Sequence, residues 1–441
     1  MTTHATVEKL ALLGGPRAIG SCPQDLFRWP IVTAEDEQAV LEVLRAGSMS
    51  DSGITRLFEV EYAAYQGTQY GLAFCNGTAA ILSAMFGCHV GRGDEIIAPS
   101  LTYWASAIQA FSLGATVVFA DIEPDSICID AKDIEHRITP RTKAIVVVHY
   151  CGHPADMDPI MAIARKHGVK VIEDVSHAHG TLYKGRLAGS IGDVAAMSLM
   201  SGKSLPAGEA GILCTNDREI FERALALGHY ERTNEELTFP DLKPFAGVPL
   251  GGYKHRVNQT CSAMARVQLR HYPQRMKEIQ EAMNYFWDQL QGVPGLRPHR
   301  PPEGCGSTMG GWFNSLGHYL PEELGGLPVA RFIEAVNAEG GGIGRGASFP
   351  LHLHPVLNTA DIYGDGRPTR IAFADRDVRQ CPGSLPVAEA LAGRCLASRG
   401  SSATTPSTLT SSSPLFAKWL CRWTGLHSRA GRRGLCRSGA G

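Results

Sequence analysis

The chain has 441 residues, 44% apolar and 19% charged, with a formal net charge of −1. That is an ordinary globular balance, long enough for one large and one smaller domain. The charge argues against nucleic acid or an anionic membrane surface as the main partner, and no stretch approaches the roughly 18 consecutive apolar residues of a membrane helix.

Residues 1–34 read as an N-terminal arm. Its apolar stretch Leu10–Leu13 stops at Gly14-Gly15, too short for a secretory leader, so a cytoplasmic location is expected. An amphipathic helix from Asp36 to Ala46 opens a large domain over 35–250. Within it, short β-branched runs recur at Gly71–Cys75, Glu95–Pro99, Thr116–Asp121, Lys143–Tyr150, Lys170–Val175, Ala195–Met200 and Gly211–Thr215. Runs of this kind are strands buried on both faces. Helical patterns at Ala79–Phe86, Tyr103–Leu113 and Pro159–Lys166 lie between them. The alternation predicts an α/β domain with a mostly parallel central sheet, whose ligands sit at the carboxyl ends of the strands. After Leu250 the pattern changes to helices at Cys261–Tyr272 and Met276–Leu290, a Pro/Gly-rich stretch at Val293–Gly311 and a helix at Pro328–Ala338. This predicts a smaller α+β domain over 251–396. The twelve cysteines are scattered singly, with no Cys-x-x-Cys pair, which reads as reduced thiols and no metal site.

The candidate chemistry lies at the strand ends. Ser198-Leu-Met-Ser-Gly-Lys203 places a lysine among small residues between two buried strands; burial lowers a lysine's pKa, and a neutral amine can form an imine with an aldehyde. A surface-loop lysine is the plainer alternative from this segment alone. Val171-Ile-Glu-Asp174-Val-Ser-His177 supplies a carboxylate able to pair with a protonated pyridine nitrogen, or else a helix cap. Cys75-Asn76-Gly77-Thr78 turns from strand into helix, where free backbone amides suit a phosphate. Pro99-Ser-Leu-Thr102-Tyr103-Trp104 offers an aromatic ring for a flat heterocycle, or a core tyrosine.

Together these segments resemble the DegT/DnrJ-type (StrS-like) sugar aminotransferases, members of the fold-type I pyridoxal-phosphate enzymes, over about Trp29 to Cys395. The resemblance implies pyridoxal 5′-phosphate as cofactor, Lys203 as the Schiff-base lysine and Asp174 as the partner of the pyridine nitrogen. It puts His177 beside the ring, Tyr103 stacked on it, and Gly77, Thr78 and Ser198 at the phosphate. The segment Gly252-Tyr-Lys254-His-Arg256-Val-Asn258 matches one that in the family crosses a homodimer interface towards the neighbouring phosphate. Relatives often have Asn where this chain has Lys254, which makes Arg256 the preferred donor. The family's Glu-Gly-Gly is Glu209-Ala210-Gly211 here. Substrate-facing positions are expected at Ser52, Gly53, His229 and His352. The implied reaction moves an amino group from glutamate or glutamine to a keto-sugar or keto-cyclitol in amino-sugar biosynthesis. The alternatives are an aminohydroxybenzoate-synthase-like enzyme, a deoxysugar dehydratase (whose branch replaces the lysine by His) or a non-catalytic regulatory member of the fold.

Residues 397–441 differ in kind, with seven Lys or Arg, nine Ser and no Asp or Glu, whereas residues 1–396 carry 35 basic against 43 acidic groups. No core can be built from such a stretch. It is expected to be a disordered tail outside the working fold. A frameshift is the favoured origin, because back-translating Ala397–Ser402 and shifting the frame can give Leu-Ala-Trp-Phe-Lys, which resembles a family ending; a genuine basic tail is the alternative.

Overall fold

The computed structural model describes residues 9–20 and 29–398. Most of the expected disordered tail, from residue 399 on, and parts of the N-terminal arm lie outside the described residues. Ala397 and Ser398, assigned to that tail from sequence, instead belong to a strand.

Nine strands fall in the first half of the chain: β1 (Tyr70–Phe74), β2 (Glu95–Pro99), β3 (Thr116–Ala120), β4 (Thr142–Val148), β5 (Lys170–Asp174), β6 (Leu182–Tyr183), β7 (Arg186–Leu187), β8 (Val194–Ser198) and β9 (Gly211–Thr215). Seven of them form one sheet in the order β1-β9-β8-β5-β4-β2-β3, and β6 pairs with β7 as a separate ribbon. The neighbours β2/β3, β2/β4, β4/β5 and β5/β8 are parallel, whereas β9 runs antiparallel to both β1 and β8. One reversed strand leaves the carboxyl ends of the other six along a single edge. The predicted runs match these strands to within a residue or two. Their Val, Ile and Ala side chains are buried on both faces, as Ala144, Ile145, Val146 and Val147 show at 0% exposure, because helices cover the sheet on each side.

The helix Gly77–Gly87 starts where Asn76 accepts from the Ala79 amide at 2.8 Å. The expected helix over 103–113 is a short α-helical turn, Ala105–Ile108, followed by a 3-10 segment, Gln109–Leu113. The two helices expected on either side of Pro273 are one helix, Gln259–Gln289. Proline removes one backbone bond, but burial on both sides of it offsets that loss: Leu269 and Tyr272 pack against the large sheet's flank, and Ile279, Met283 and Trp287 against a second sheet. That second sheet comprises β10 (Leu296–Pro298), β11 (Leu316–Tyr319), β12 (Ile343–Arg345) and β13 (Cys395–Ser398), antiparallel in the order β10-β11-β13-β12. Between β12 and β13 the chain returns to the large sheet, where Leu351, Leu357, Ile371 and Leu385 join its core. Among the described residues no helix is long and apolar enough to cross a membrane.

Candidate active site

A cavity of about 410 Å3 opens at the carboxyl edge of the large sheet. It is lined by the residues that follow β1, β2, β4, β5 and β8, and by Phe313, Asn314, Gly346 and Ser348 from around the small sheet.

Lys203 lies in the loop joining the antiparallel strands β8 and β9. That loop is held closed by Leu199 N–H to Ala210 O and Ser201 N–H to Gly208 O, both 2.8 Å, and by Lys203 N–H to Met200 O at 2.8 Å. The Trp29 indole donates to the Lys203 carbonyl at 3.1 Å. Only 8% of the residue is exposed. Burial brings its amine down to about 8, with the Asp174 carboxylate opposing the shift. The amine also lies 4.2 Å from the centroid of the Phe313 ring.

Asp174 closes β5. Its Oδ1 accepts the Ser176 amide at 3.0 Å and its Oδ2 accepts the Ser106 hydroxyl at 2.6 Å; Ser106 in turn lies 3.1 Å from the Thr102 hydroxyl. The carboxylate is thus fixed at the cavity wall and does not cap a helix. Its neighbour Glu173 points to the opposite face and is wholly buried. There it takes the His149 ring at 3.0 Å and the amides of Gly189, Ile191 and Gly192 at 2.6–2.8 Å. Two adjacent acids on one strand therefore have different environments, because side chains alternate across a sheet.

The end of β1 forms a cradle. The amides of Gly77 and Thr78 precede the helix's own hydrogen-bond ladder and have no intrahelical acceptor. A Cβ at Gly77 would stand 2.7 Å from the Ser198 Cβ, and one at Gly211 would stand 2.5 Å from the Asn76 carbonyl carbon. Only glycine allows β1, β8 and β9 to close this tightly. Ser198 is oriented from two sides: its amide donates to the Ser176 hydroxyl at 2.9 Å, and its carbonyl lies 2.9 Å from His179 Nε2. His179 Nδ1 lies 3.0 Å from the Tyr62 hydroxyl, and burial lowers its ring to about 4, so it is a neutral strut.

His177 lies on the cavity wall, stacked on Phe313 with centroids 4.1 Å apart and planes 5° apart. Its Nδ1 is buried with no hydrogen-bond partner. Burial, with Lys203 and His179 nearby, holds its pKa well below the usual histidine range. Tyr103 is at the mouth, 54% exposed, its ring tilted against Trp104.

The fold therefore brings Gly77, Thr78, Tyr103, Asp174, His177, Ser198 and Lys203 around one cavity. The remaining sequence candidates do not line it. His229 is buried, with Nε2 2.9 Å from Ala73 O and its pKa lowered to about 3 by burial. His352 is likewise inside the core, bridging the Ser100 hydroxyl at 2.6 Å and Glu389 at 3.0 Å. Both are packing residues in this structure, not ligand-facing ones. Ser52 and Gly53 begin the helix Gly53–Gln66, in a turn packed on the segment that carries Arg256. Arg256 donates to Ser50 O at 3.2 Å, and Gln259 N–H to Met49 O at 3.0 Å. That segment is tied to the cradle by Cys75 N–H to His255 O at 2.7 Å. Among the described residues lining the cavity, Lys203 is the only Lys or Arg.

Sequence reasoning missed Ser106 and Ser176, which hold Asp174. Both sit within a few residues of recognised motifs and were within reach. It also missed Tyr150 and Cys151, at the end of the predicted run Lys143–Tyr150 and so equally within reach, and Phe313, Asn314 and Ser348, which no local pattern marks.

A buried amine of depressed pKa, an anchored carboxylate and a cradle of free amides that closes only on glycine together fit an aldehyde-bearing pyridine phosphate. The match to known proteins is decisive: residues 30–396 fit the model of the DegT/DnrJ/EryC1/StrS aminotransferase family. The chain belongs to that family. It is an aminotransferase working with pyridoxal 5′-phosphate on the fold-type I scaffold. It is 34% identical over 333 residues to the spore coat polysaccharide biosynthesis protein SpsC of Bacillus subtilis, covering 75% of this chain and 84% of the relative. It is 32% identical over 387 residues to the L-glutamine:2-deoxy-scyllo-inosose aminotransferase of Streptoalloteichus tenebrarius, covering 83% and 88%. Among solved structures, the aminotransferase from Psychrobacter cryohalolentis superposes with a TM-score of 0.76 at 27% identity, over 88% of this aminotransferase and 97% of that chain.

Proposed function

We propose that this aminotransferase moves an amino group from glutamine or glutamate to the ketone of a cyclitol or sugar, with Lys203 as its catalytic lysine. The observation that carries the reading is the Lys203 amine, brought down to about 8 by burial and placed in one cavity with Asp174 and the cradle. When bound, pyridoxal 5′-phosphate supplies the aldehyde and the electron-accepting ring. The amides of Gly77 and Thr78, with the Thr78 and Ser198 hydroxyls, hold its phosphate, and Tyr103 offers a ring at the open side. Asp174, oriented by the Ser106 hydroxyl and the Ser176 amide, is the carboxylate that would pair with the pyridine nitrogen. Lys203 Nζ takes and returns the proton at the reacting carbon; a pKa near 8 suits an amine that must do both near neutral pH.

The acceptor class rests on the relatives, one of which is named for 2-deoxy-scyllo-inosose and L-glutamine. The assay is amino transfer from glutamine and from glutamate to 2-deoxy-scyllo-inosose, scyllo-inosose and a panel of keto-sugars, with the aminated product read by mass spectrometry. Transfer to a cyclitol or sugar is expected. Turnover confined to simple α-keto acids would overturn the substrate class.

The same reading includes a homodimer. A phosphate needs more positive charge than the cavity lining supplies, and the Arg256 segment is anchored beside the cradle, with Lys254 exposed and Arg256 half-buried. A partner's Arg256 then completes each site. Mixing Lys203→Ala with Arg256→Ala protein should restore activity that neither variant has alone, because one hybrid site retains both residues. Absence of complementation in verified mixed dimers would refute the shared site.

A further inference from the structure

The loop from Thr308 to Ser315 reaches the active site from the small sheet, and nothing in the sequence motifs marks it. It is threaded through a narrow gap. Thr308 N–H donates to Leu182 O at 2.9 Å and Gly311 N–H to His179 O at 3.0 Å. A Cβ at Gly310 would stand 2.5 Å from the His179 carbonyl oxygen, and one at Gly311 would stand 2.5 Å from the Ser204 hydroxyl. Trp312 then adopts a left-handed backbone, φ +44°, and is 1% exposed. Two glycines, a left-handed tryptophan and two backbone hydrogen bonds to the Leu182 and His179 carbonyls leave the next residue, Phe313, little freedom of position.

Phe313 touches two site residues at once. Its ring lies parallel to the His177 imidazole at 4.1 Å, and the Lys203 amine is 4.2 Å from its centroid. His177 has no hydrogen bond on its buried Nδ1. Its orientation is set by rings: the face of Phe313, and Tyr150 in a T-shaped contact at 6.0 Å. A cation within about 6 Å of an aromatic centroid is attracted by the ring's negative face, and that attraction strengthens where water is excluded.

We propose that Phe313 is a positioning residue for the reaction: its π face holds the Lys203 ammonium at the cavity and its stacking fixes the plane of His177. The small sheet thereby influences the proton affinity of an amine carried by the large one. The ionisable groups facing Lys203 are Asp174, which favours its charge, His177 and His179, which are neutral, and the Cys151 thiol, which burial pushes up to about 12. Glu209 is the other carboxylate in the cavity lining, and the Phe313 ring is the uncharged group against the ammonium.

The inference rests on Lys203 being the residue that captures the cofactor, so the test reads that separately. The full chain, stripped of cofactor, is mixed with pyridoxal 5′-phosphate across pH 6.5–10, and the rate of covalent capture is followed by absorbance. Capture should rise with pH, with a midpoint near 8, as the neutral amine becomes available. Replacing Phe313 with phenylalanines of increasing ring fluorination keeps its shape and drains its face. The midpoint should fall stepwise, by about half a pH unit in all. Phe313→Leu should fall similarly, and Phe313→Tyr should match the parent. An unchanged midpoint across the fluorinated series, in protein with an unaltered melting temperature, would overturn the proposal. Undiminished covalent capture by Lys203→Ala would instead overturn the assignment of Lys203 itself.

Discussion

The two walls of the cavity are made in different ways. The cradle wall, from Asn76 to Thr78 with Ser198 and Gly211, is built by backbone: glycines allow strands to close, a helix start leaves amides free, and hydrogen bonds of 2.8–2.9 Å orient what remains. The opposite wall, of Tyr150, His177 and Phe313, is built from rings. Its His177 Nδ1 has no partner, and its contacts are centroid distances of 4.1–6.0 Å. Backbone-built geometry tolerates almost no change of volume, because a methyl group has nowhere to go. Ring-built geometry accepts shape-preserving change and responds to electronics. The first wall suits an invariant part of a ligand and the second suits tuning of the reacting groups.

Substitution sharpens that contrast. Lys203→Ala stands between the walls and should have the largest effect, removing covalent capture of the cofactor and turnover together; an assay of amino transfer checks the second. Asp174→Asn should leave the cofactor bound by the cradle but slow transfer by at least about a hundredfold, since each 1.36 kcal/mol of lost transition-state stabilisation is tenfold in rate. A variant within threefold of the parent would make Asp174 a structural acid. Gly77→Ala tests the backbone wall. Its Cβ meets Ser198 at 2.7 Å, so overpacking of about 1–3 kcal/mol should weaken cofactor affinity roughly tenfold or more. Equilibrium dialysis measures it, and unchanged affinity would show that the cradle can open. The smallest effect on catalysis is expected at His352, outside both walls. His352→Ala breaks the Ser100–His352–Glu389 chain and should lower the melting temperature by several degrees. The KM for the acceptor should stay put; a large change in KM would return His352 to the list of ligand-facing residues.

The contrast also explains how much of the site could be read from sequence. Each cradle residue lies next to a strand end, and strand ends are marked locally by β-branched runs stopping at Asn-Gly or Ser. The same local signal marks Lys203 and Asp174 as candidates. Ser106 and Ser176 escaped because serine beside a carboxylate has no periodic signature. His229 and His352 misled because histidine near a motif suggests a ligand, whereas burial made both of them struts. Pro273 suggested a helix boundary, but buried side chains on both flanks carried the helix through it.

By itself the sequence determined the seven strands of the large sheet, the edge on which the site lies, the family resemblance and the identity of the lysine, acid and cradle candidates. These follow from short-range chemistry: side-chain periodicity, turn residues and caps act over a few positions and leave a local record. Only the tertiary structure decided that β9 runs against its neighbours, that a single helix passes Pro273, and that Phe313, more than a hundred residues beyond Lys203, lies 4.2 Å from its amine. Those outcomes depend on which apolar faces find each other when the two sheets pack. Packing energy is set by contacts between distant segments, and no window of neighbouring residues contains it.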